Sequence, residues 1–437
     1  MTSYLLERAW LGDGAVVDDV LVRIEDGRFT EVRAGAVDES AQRLAGLTIP
    51  AFANCHSHAF HRALRGRTQR GRGTFWTWRE QMYDVAGRLD PDGYYALALA
   101  VYREMLAAGI TSVGEFHYLH HDPAGGRYDD PNAMGQALLA AARDAGLRIA
   151  LLDTCYLAAG IGRDVEGVQV RFSDGSAEAW AARVSALAPR ATGDVVVGAA
   201  IHSVRAVPRD QMSSVASWAS GQAVPMHVHL SEQVAENEQC LALYAMTPTE
   251  VLADAGALGE RTSAVHATHL TDRDVKLLGE ARAFACFCPT TERDLGDGIG
   301  PSRRLHEAGS PLTLGSDSHA VIDAFEEMRA VELDERLASQ QRGHWAASEL
   351  LQAGTVDGHR SLGFPDVGRI TAGFRADLVT VDTASVRTAG TGADEAAAVF
   401  AASAADVVRV VRDGVDVTPD RAQVAAHLAS TIERLWR

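Results

Sequence analysis

Eight short apolar runs, each stopping at a polar residue and most followed by a longer segment of helical periodicity, limit what this 437-residue chain can fold into. They cover residues 47–53, 111–116, 148–155, 195–201, 223–229, 262–266, 283–288 and 312–314. Strands that alternate with helices pair in parallel, because each helix carries the chain back to the same end of the sheet. Eight such units predict an α/β fold built as a closed (β/α)8 barrel, of the TIM type, with its chemistry at the C-terminal ends of the strands. The histidines follow this geometry. Of the 16 in the chain, 12 fall at or just past the ends of these runs.

The two ends of the chain read differently. Residues 15–24 and 29–33 are short strands around the turn Glu25-Asp-Gly-Arg28, and 378–381 and 407–412 are similar strands near the other end. We therefore expect residues 1–50 and 366–437 to pair into a small β-sandwich, completed by a terminal helix, beside a barrel spanning 51–365. The Ala-rich stretch 390–405 reads as a loop with a short helix. A hydrophobic content of 47% with 23% charged residues is that of a soluble globular protein. The net charge of −17 argues against nucleic acid or an anionic membrane as partner. No apolar stretch approaches the roughly 20 residues of a membrane span, and the first residues lack the layout of a secretory signal. Five sparse cysteines show no disulfide spacing. A reducing cytoplasm and a small-molecule substrate are expected.

Four strand ends carry groups suited to metal chemistry. His56 and His58 are two apart, so an extended chain sends both imidazoles to one side. The fifth run contributes His229 and, three residues later, Glu232; the sixth ends in His266; the eighth leads to Asp317. His56, His58, His229 and Asp317 suit a single divalent ion, zinc first, although iron or nickel accepts the same donors. Such an ion makes bound water acidic near neutrality and so supplies hydroxide. Glu232 is placed to move a proton to a leaving amine, with His266 and Asp317 helping to deprotonate and orient the water.

These motifs, with Gly368-Arg-Ile-Thr-Ala-Gly-Phe-Arg-Ala-Asp377, resemble the amidohydrolase superfamily over essentially the whole chain. More narrowly, residues 54–65, Thr74-Phe-Trp-Thr-Trp-Arg-Glu-Gln-Met-Tyr83, residues 108–120, His202-Ser-Val-Arg205 and residues 288–298 look like the N-formimidoyl-L-glutamate deiminases of histidine degradation. The resemblance implies hydrolysis of a formimino group to a formyl group with loss of ammonia, metal at His56, His58, His229 and Asp317, and proton transfer by Glu232 and His266. It also implies a homodimer, and recognition of the glutamate portion by Arg79, Tyr118, His202 and Arg205. Two carboxylates on a substrate call for guanidinium forks. One position departs from the family pattern: His61 stands where Gln is usual. A neutral imidazole there can replace the amide, whereas a protonated one would repel a cationic amidine. Two-metal barrels of this kind bridge their ions with a carbamylated Lys on the fourth strand. Here the single Lys, Lys276, follows the sixth, so one ion is expected.

Other residues have plainer readings. His227 is expected to be packed and hydrogen-bonded, His117, His120 and His121 to serve loops or the pocket wall, His269 to bond locally, and Cys286 and Cys288 to be small buried residues. Trp76 and Trp78 fit either a lid or a substrate contact. Two rival functions remain at this point. An aminohydrolase of the same fold acting on a purine or triazine ring would need stacking aromatics and amide readers rather than two Arg forks. A non-catalytic scaffold of this fold would have lost its ligands, and this chain keeps all six catalytic positions.

Overall fold

A proline ends one sheet and lets the next begin. The computed structural model describes residues 2–437. Its first four strands, β1 (Thr2–Ala9), β2 (Val17–Glu25), β3 (Arg28–Arg33) and β4 (Gln42–Pro50), belong to a sheet that the far end of the chain completes. After Pro50, which has no N–H to continue a ladder, β5 (Phe52–Ser57) opens the barrel. The expected first barrel run, 47–53, therefore straddles two sheets. Both bury it, so hydrophobicity alone carries no mark of the boundary.

The barrel continues through β6 (Ile110–His117) and β7 (Arg148–Cys155). A small hairpin follows, β8 (Ala158–Gly160) with β9 (Arg163–Asp164). Then come β10 (Val195–Ile201), β11 (Met226–Leu230), β12 (Thr262–His266), β13 (Phe284–Phe287) and β14 (Leu312–Leu314). Each of the eight barrel strands pairs in parallel with its neighbour in the order β14-β13-β12-β11-β10-β7-β6-β5. The ring closes just past β14, where the N–H groups of Ser316 and Asp317 donate to His56 O at 3.1 and 2.9 Å. His58 N–H donates in return to Asp317 O at 3.2 Å. Gly315 allows that approach, since a Cβ on it would lie 2.7 Å from the His56 Cβ and 2.9 Å from its backbone nitrogen and oxygen. Closure thus brings two of the strand ends that carry metal-binding residue types into direct contact.

At the far end of the chain, β15 (Leu378–Val381), β16 (Val407–Arg412) and β17 (Val415–Asp416) complete the other sheet, in the order β17-β16-β15-β4-β1-β2-β3. Leu378 sits opposite Pro50 and Val381 opposite Leu47, so the two chain ends are joined by a ladder. A buried ion cluster ties this sheet to the base of the barrel. Arg148, the first residue of β7, is fully buried and bonds both Asp377 and Asp413, and its Nε lies 3.4 Å from Asp194. Asp194 also pairs with Arg375 at 2.7 Å and Arg412 at 2.6 Å. The helix Phe75–Arg88, α1, and the β8–β9 hairpin contribute to the wall at the other end of the barrel. No helix among the described residues is long and apolar enough to cross a membrane.

Candidate active site

His56, His58, His229 and Asp317 offer four donor atoms that all lie within 4.8 Å of one another, and all four residues are buried. His58 donates through Nδ1 to Phe116 O at 3.1 Å and His229 through Nδ1 to His202 O at 2.9 Å. A carbonyl oxygen only accepts, so these bonds fix the tautomer and leave each Nε2 as a lone pair aimed inward. Nε2 of His56 and of His229 face each other at 3.0 Å, and Asp317 Oδ1 is 3.4 Å from His56 Nε2 and 3.2 Å from His58 Nε2. Donors about 2.0–2.1 Å from a tetrahedral zinc ion stand about 3.3 Å apart. The residues present therefore fit one divalent ion, and opposed lone pairs inside a protein call for a positive centre between them. Burial pushes the His56 pKa down to about 4, which favours the neutral ligand form. Burial alone would raise the Asp317 carboxyl, but the imidazoles of His56 and His58 hold it well below its usual range.

Asp317 and His266 share a backbone feature. Both have positive φ, +42° and +68°, uncommon for residues with a side chain. Residues held in sparsely populated backbone regions cluster at functional sites. His266 Nε2 is 3.7 Å from Asp317 Oδ2 and 3.9 Å from Glu232 Oε1. Its Nδ1 lies 3.2 Å from Glu292 Oε1, which also accepts the Cys288 N–H at 2.9 Å. Burial opposes the charge on His266, yet Glu292, Glu232 and Asp317 together hold its pKa well above the ordinary value. The site thus holds neutral imidazoles at His56 and His229 and a charged one at His266, beside Glu232.

A cleft opens above these groups, and its wall includes all five residues expected to meet substrate: His61, Arg79, Tyr118, His202 and Arg205. Arg79, on α1, stacks its guanidinium over Trp76 at 4.5 Å and lies 5.5 Å from the Tyr83 ring. Trp78 lines the same wall, and Trp76 is 47% exposed. Arg205 reaches Glu232 Oε2 with Nη2 at 3.1 Å, while its Nε stands 3.8 Å from Glu236 Oε2. Burial pushes the Glu236 carboxyl up to about 7, with Arg205 pulling the other way. Burial and the His58 ring hold His61 well below its ordinary pKa; it is neutral, with Nε2 3.1 Å from Tyr118 Oη. His202 is likewise held neutral by burial and by Arg205, and packs on Tyr156 at 4.5 Å.

Several residues do something other than the sequence suggested. His227 is buried against His56, but neither ring nitrogen has a hydrogen-bond partner among the described residues, so it is packed rather than bonded. His117, His120 and His121 do not line the cleft. They lie in a buried polar cluster, where Arg183 bonds Asp153 at 2.8 Å and Asp174 at 2.9 Å and His121 is 3.3 Å from Asp174. His117, His120 and Asp153 also have metal-like spacing. The Arg183 guanidinium already occupies the Asp153 carboxylate, so a second cation there would meet a fixed positive charge. Tyr156, Glu236 and Glu292 belong to the site and were not anticipated. The strand-end rule could have found Tyr156, which directly follows β7; the two glutamates lie inside helices and carry no such signal.

Comparison with known proteins agrees with this geometry. Residues 47–417 match the model of the amidohydrolase family. The chain is 36% identical over 397 residues to the formimidoylglutamate deiminase of Pseudomonas aeruginosa, covering 87% of this chain and 86% of that protein. It is 26% identical over 422 residues to a 5-methylthioadenosine/S-adenosylhomocysteine deaminase of Desulforamulus reducens, covering 94% and 91%. A crystal structure of an amidohydrolase from Brucella melitensis superposes over the full length of both chains with a TM-score of 0.91 at 31% identity. The chain belongs to the amidohydrolase family, as a hydrolase of carbon–nitrogen bonds.

Proposed function

We propose that this protein hydrolyses the formimino group of N-formimidoyl-L-glutamate, giving N-formyl-L-glutamate and ammonia. The water oxygen stays on the carbon as the formyl oxygen, and the terminal nitrogen leaves as ammonia. The observation that carries the reading is one cleft whose wall holds the guanidiniums of Arg79 and Arg205 and whose lining includes His58, His229 and Asp317 of the metal-type group. A dicarboxylate needs such cations; a purine does not. The named activity of the Pseudomonas aeruginosa relative supports the same substrate.

A divalent ion held by His56, His58, His229 and Asp317, zinc by the balance of three imidazoles and one carboxylate, supplies Lewis-acid polarisation and an acidified water. Glu232 accepts a proton on one side of the reacting carbon and returns it to the departing nitrogen. His266, held charged by Glu292, is not free to take a proton from the water as the sequence suggested; it sits 3.9 Å from Glu232 and stabilises negative charge as the carbon becomes tetrahedral. Neutral His61 presents a ring with no positive charge to repel the amidine, and its Nδ1 has no hydrogen-bond partner among the described residues. Arg79, Arg205, His202 and Tyr118 hold the glutamate portion.

The test is ammonia release by metal-replete protein from N-formimidoyl-L-glutamate, N-formimidoyl-L-aspartate and adenosine. The expected outcome is a kcat/KM for the glutamate derivative at least about a hundredfold above that for adenosine, as expected when a site built to bond carboxylates meets a ligand that lacks them. Faster turnover of adenosine sinks the assignment.

A further inference from the structure

Glu236 is the carboxylate in the cleft wall that this chemistry leaves without a task. It lies one helical turn beyond Glu232, on the helix Val234–Tyr244, and is 1% exposed. Neither of its carboxyl oxygens has a hydrogen-bond partner among the described residues. Arg205 Nε, 3.8 Å from Glu236 Oε2, is buried and equally unpartnered. The other end of the same guanidinium is engaged, with Nη2 bonded to Glu232 Oε2 at 3.1 Å. Arg205 therefore stands between two carboxylates, bonded to one and just short of the other.

That arrangement conflicts with the chemistry in one respect. Arg205 cannot give its donors fully to a substrate carboxylate while one of them serves Glu232. A buried carboxyl without donors also costs stability, and a hydrocarbon side chain in its place would not.

We propose that Glu236 is a positioning residue, taking over Arg205 when the substrate carboxylate draws that guanidinium away from Glu232 and so holding the guanidinium in place for that carboxylate. This rests on the assignment of Arg205 as a carboxylate anchor. Closing the 3.8 Å gap to hydrogen-bond length needs a shift of roughly 1 Å in one guanidinium, with no backbone movement. The Nε donor gains its missing partner, and the two carboxylates exchange roles around a cation that stays charged throughout.

The test compares the wild type with Glu236→Gln and Glu236→Met, each alone and in an Arg205→Met background, by steady-state kinetics on N-formimidoyl-L-glutamate and by thermal unfolding. The expected result is a rise in KM of about tenfold with kcat within about threefold, the scale of one charged hydrogen bond lost to binding. The thermal midpoint should hold or rise, and the KM effect should disappear when Arg205 is already Met. An unchanged KM overturns the proposal, as does an effect of equal size without Arg205. So does a fall in midpoint with kcat and KM moving together, the mark of a structural role. A wild type that releases no ammonia from this substrate overturns the substrate assignment as well, whereas wild-type turnover with an unchanged KM in the variants overturns this inference alone.

Discussion

What faces Nδ1 decides whether a histidine here is a ligand or an acid. His58 and His229 give that proton to the backbone carbonyls of Phe116 and His202 and keep Nε2 as a lone pair. His266 has the Glu292 carboxylate in the same place and is held as a cation. A further carboxyl group, that of Glu115, works behind the ligands. It is fully buried in β6 and accepts hydrogen bonds from Ser57 Oγ and Ala59 N–H, each at 2.7 Å, so it fixes the backbone on either side of His58. Burial pushes its carboxyl up to about 8 despite those two donors. The folded state therefore binds a proton that the unfolded chain releases above about pH 4.5. Its contribution is fully present below that pH and is lost as pH rises toward about 8, where the folded group ionises. A Glu115→Gln variant keeps the shape and cannot ionise. Its thermal midpoint should gain steadily on that of the wild type as pH is raised across this window, and a constant difference would contradict the account.

Elements meet this site at their ends, which is why so much of it could be read from the sequence. The runs 148–155, 195–201, 262–266 and 312–314 have the same limits in the structure, and the polar residues just past strand ends converge as a parallel barrel requires. The first run failed because Pro50 divides it between two sheets with equally apolar neighbours. Glu115, Glu236 and Glu292 were illegible for another reason. A glutamate within a helix or strand looks like a solvated residue until the packing around it is known. The closing seam of the barrel was hidden in the same way, in a glycine. Gly315 passes beside the His56 main chain with no room for a Cβ. Gly315→Ala should push β5 and the segment after β14 apart, at a cost of about 1–3 kcal/mol. Because His56 and Asp317 sit on opposite sides of that seam, metal content should fall with it. Atomic absorption on the purified variant, together with its thermal midpoint, tests both. A full complement of metal would show that the seam does not hold the ligands together.

For the molecule as a whole, the question is whether the terminal sheet and the barrel stand or fall together. The β4–β15 ladder joins the two chain ends within the sheet and runs to Pro50, directly before β5 of the barrel. A second link runs through Arg148 at the start of β7, where one fully buried guanidinium meets Asp377 and Asp413 from the terminal sheet and lies close to Asp194 from the barrel. Asp377 is as buried as its partner. Taking those charges out of water is expensive, and their attraction offsets the cost only while each has its counter-charge. Arg148→Met preserves most of the volume and removes the cation. It should destabilise the protein by about 3–5 kcal/mol, because the buried carboxylate of Asp377 and the half-buried one of Asp413 stay beside each other without it. Asp377→Asn added to this variant should recover part of the loss, since a neutral amide needs no counter-ion. If the ion cluster is what couples the two parts, denaturant unfolding should change from one transition in the wild type to two in Arg148→Met, with the sheet melting first. A single transition displaced to lower denaturant would assign the coupling to the apolar contact between sheet and barrel instead.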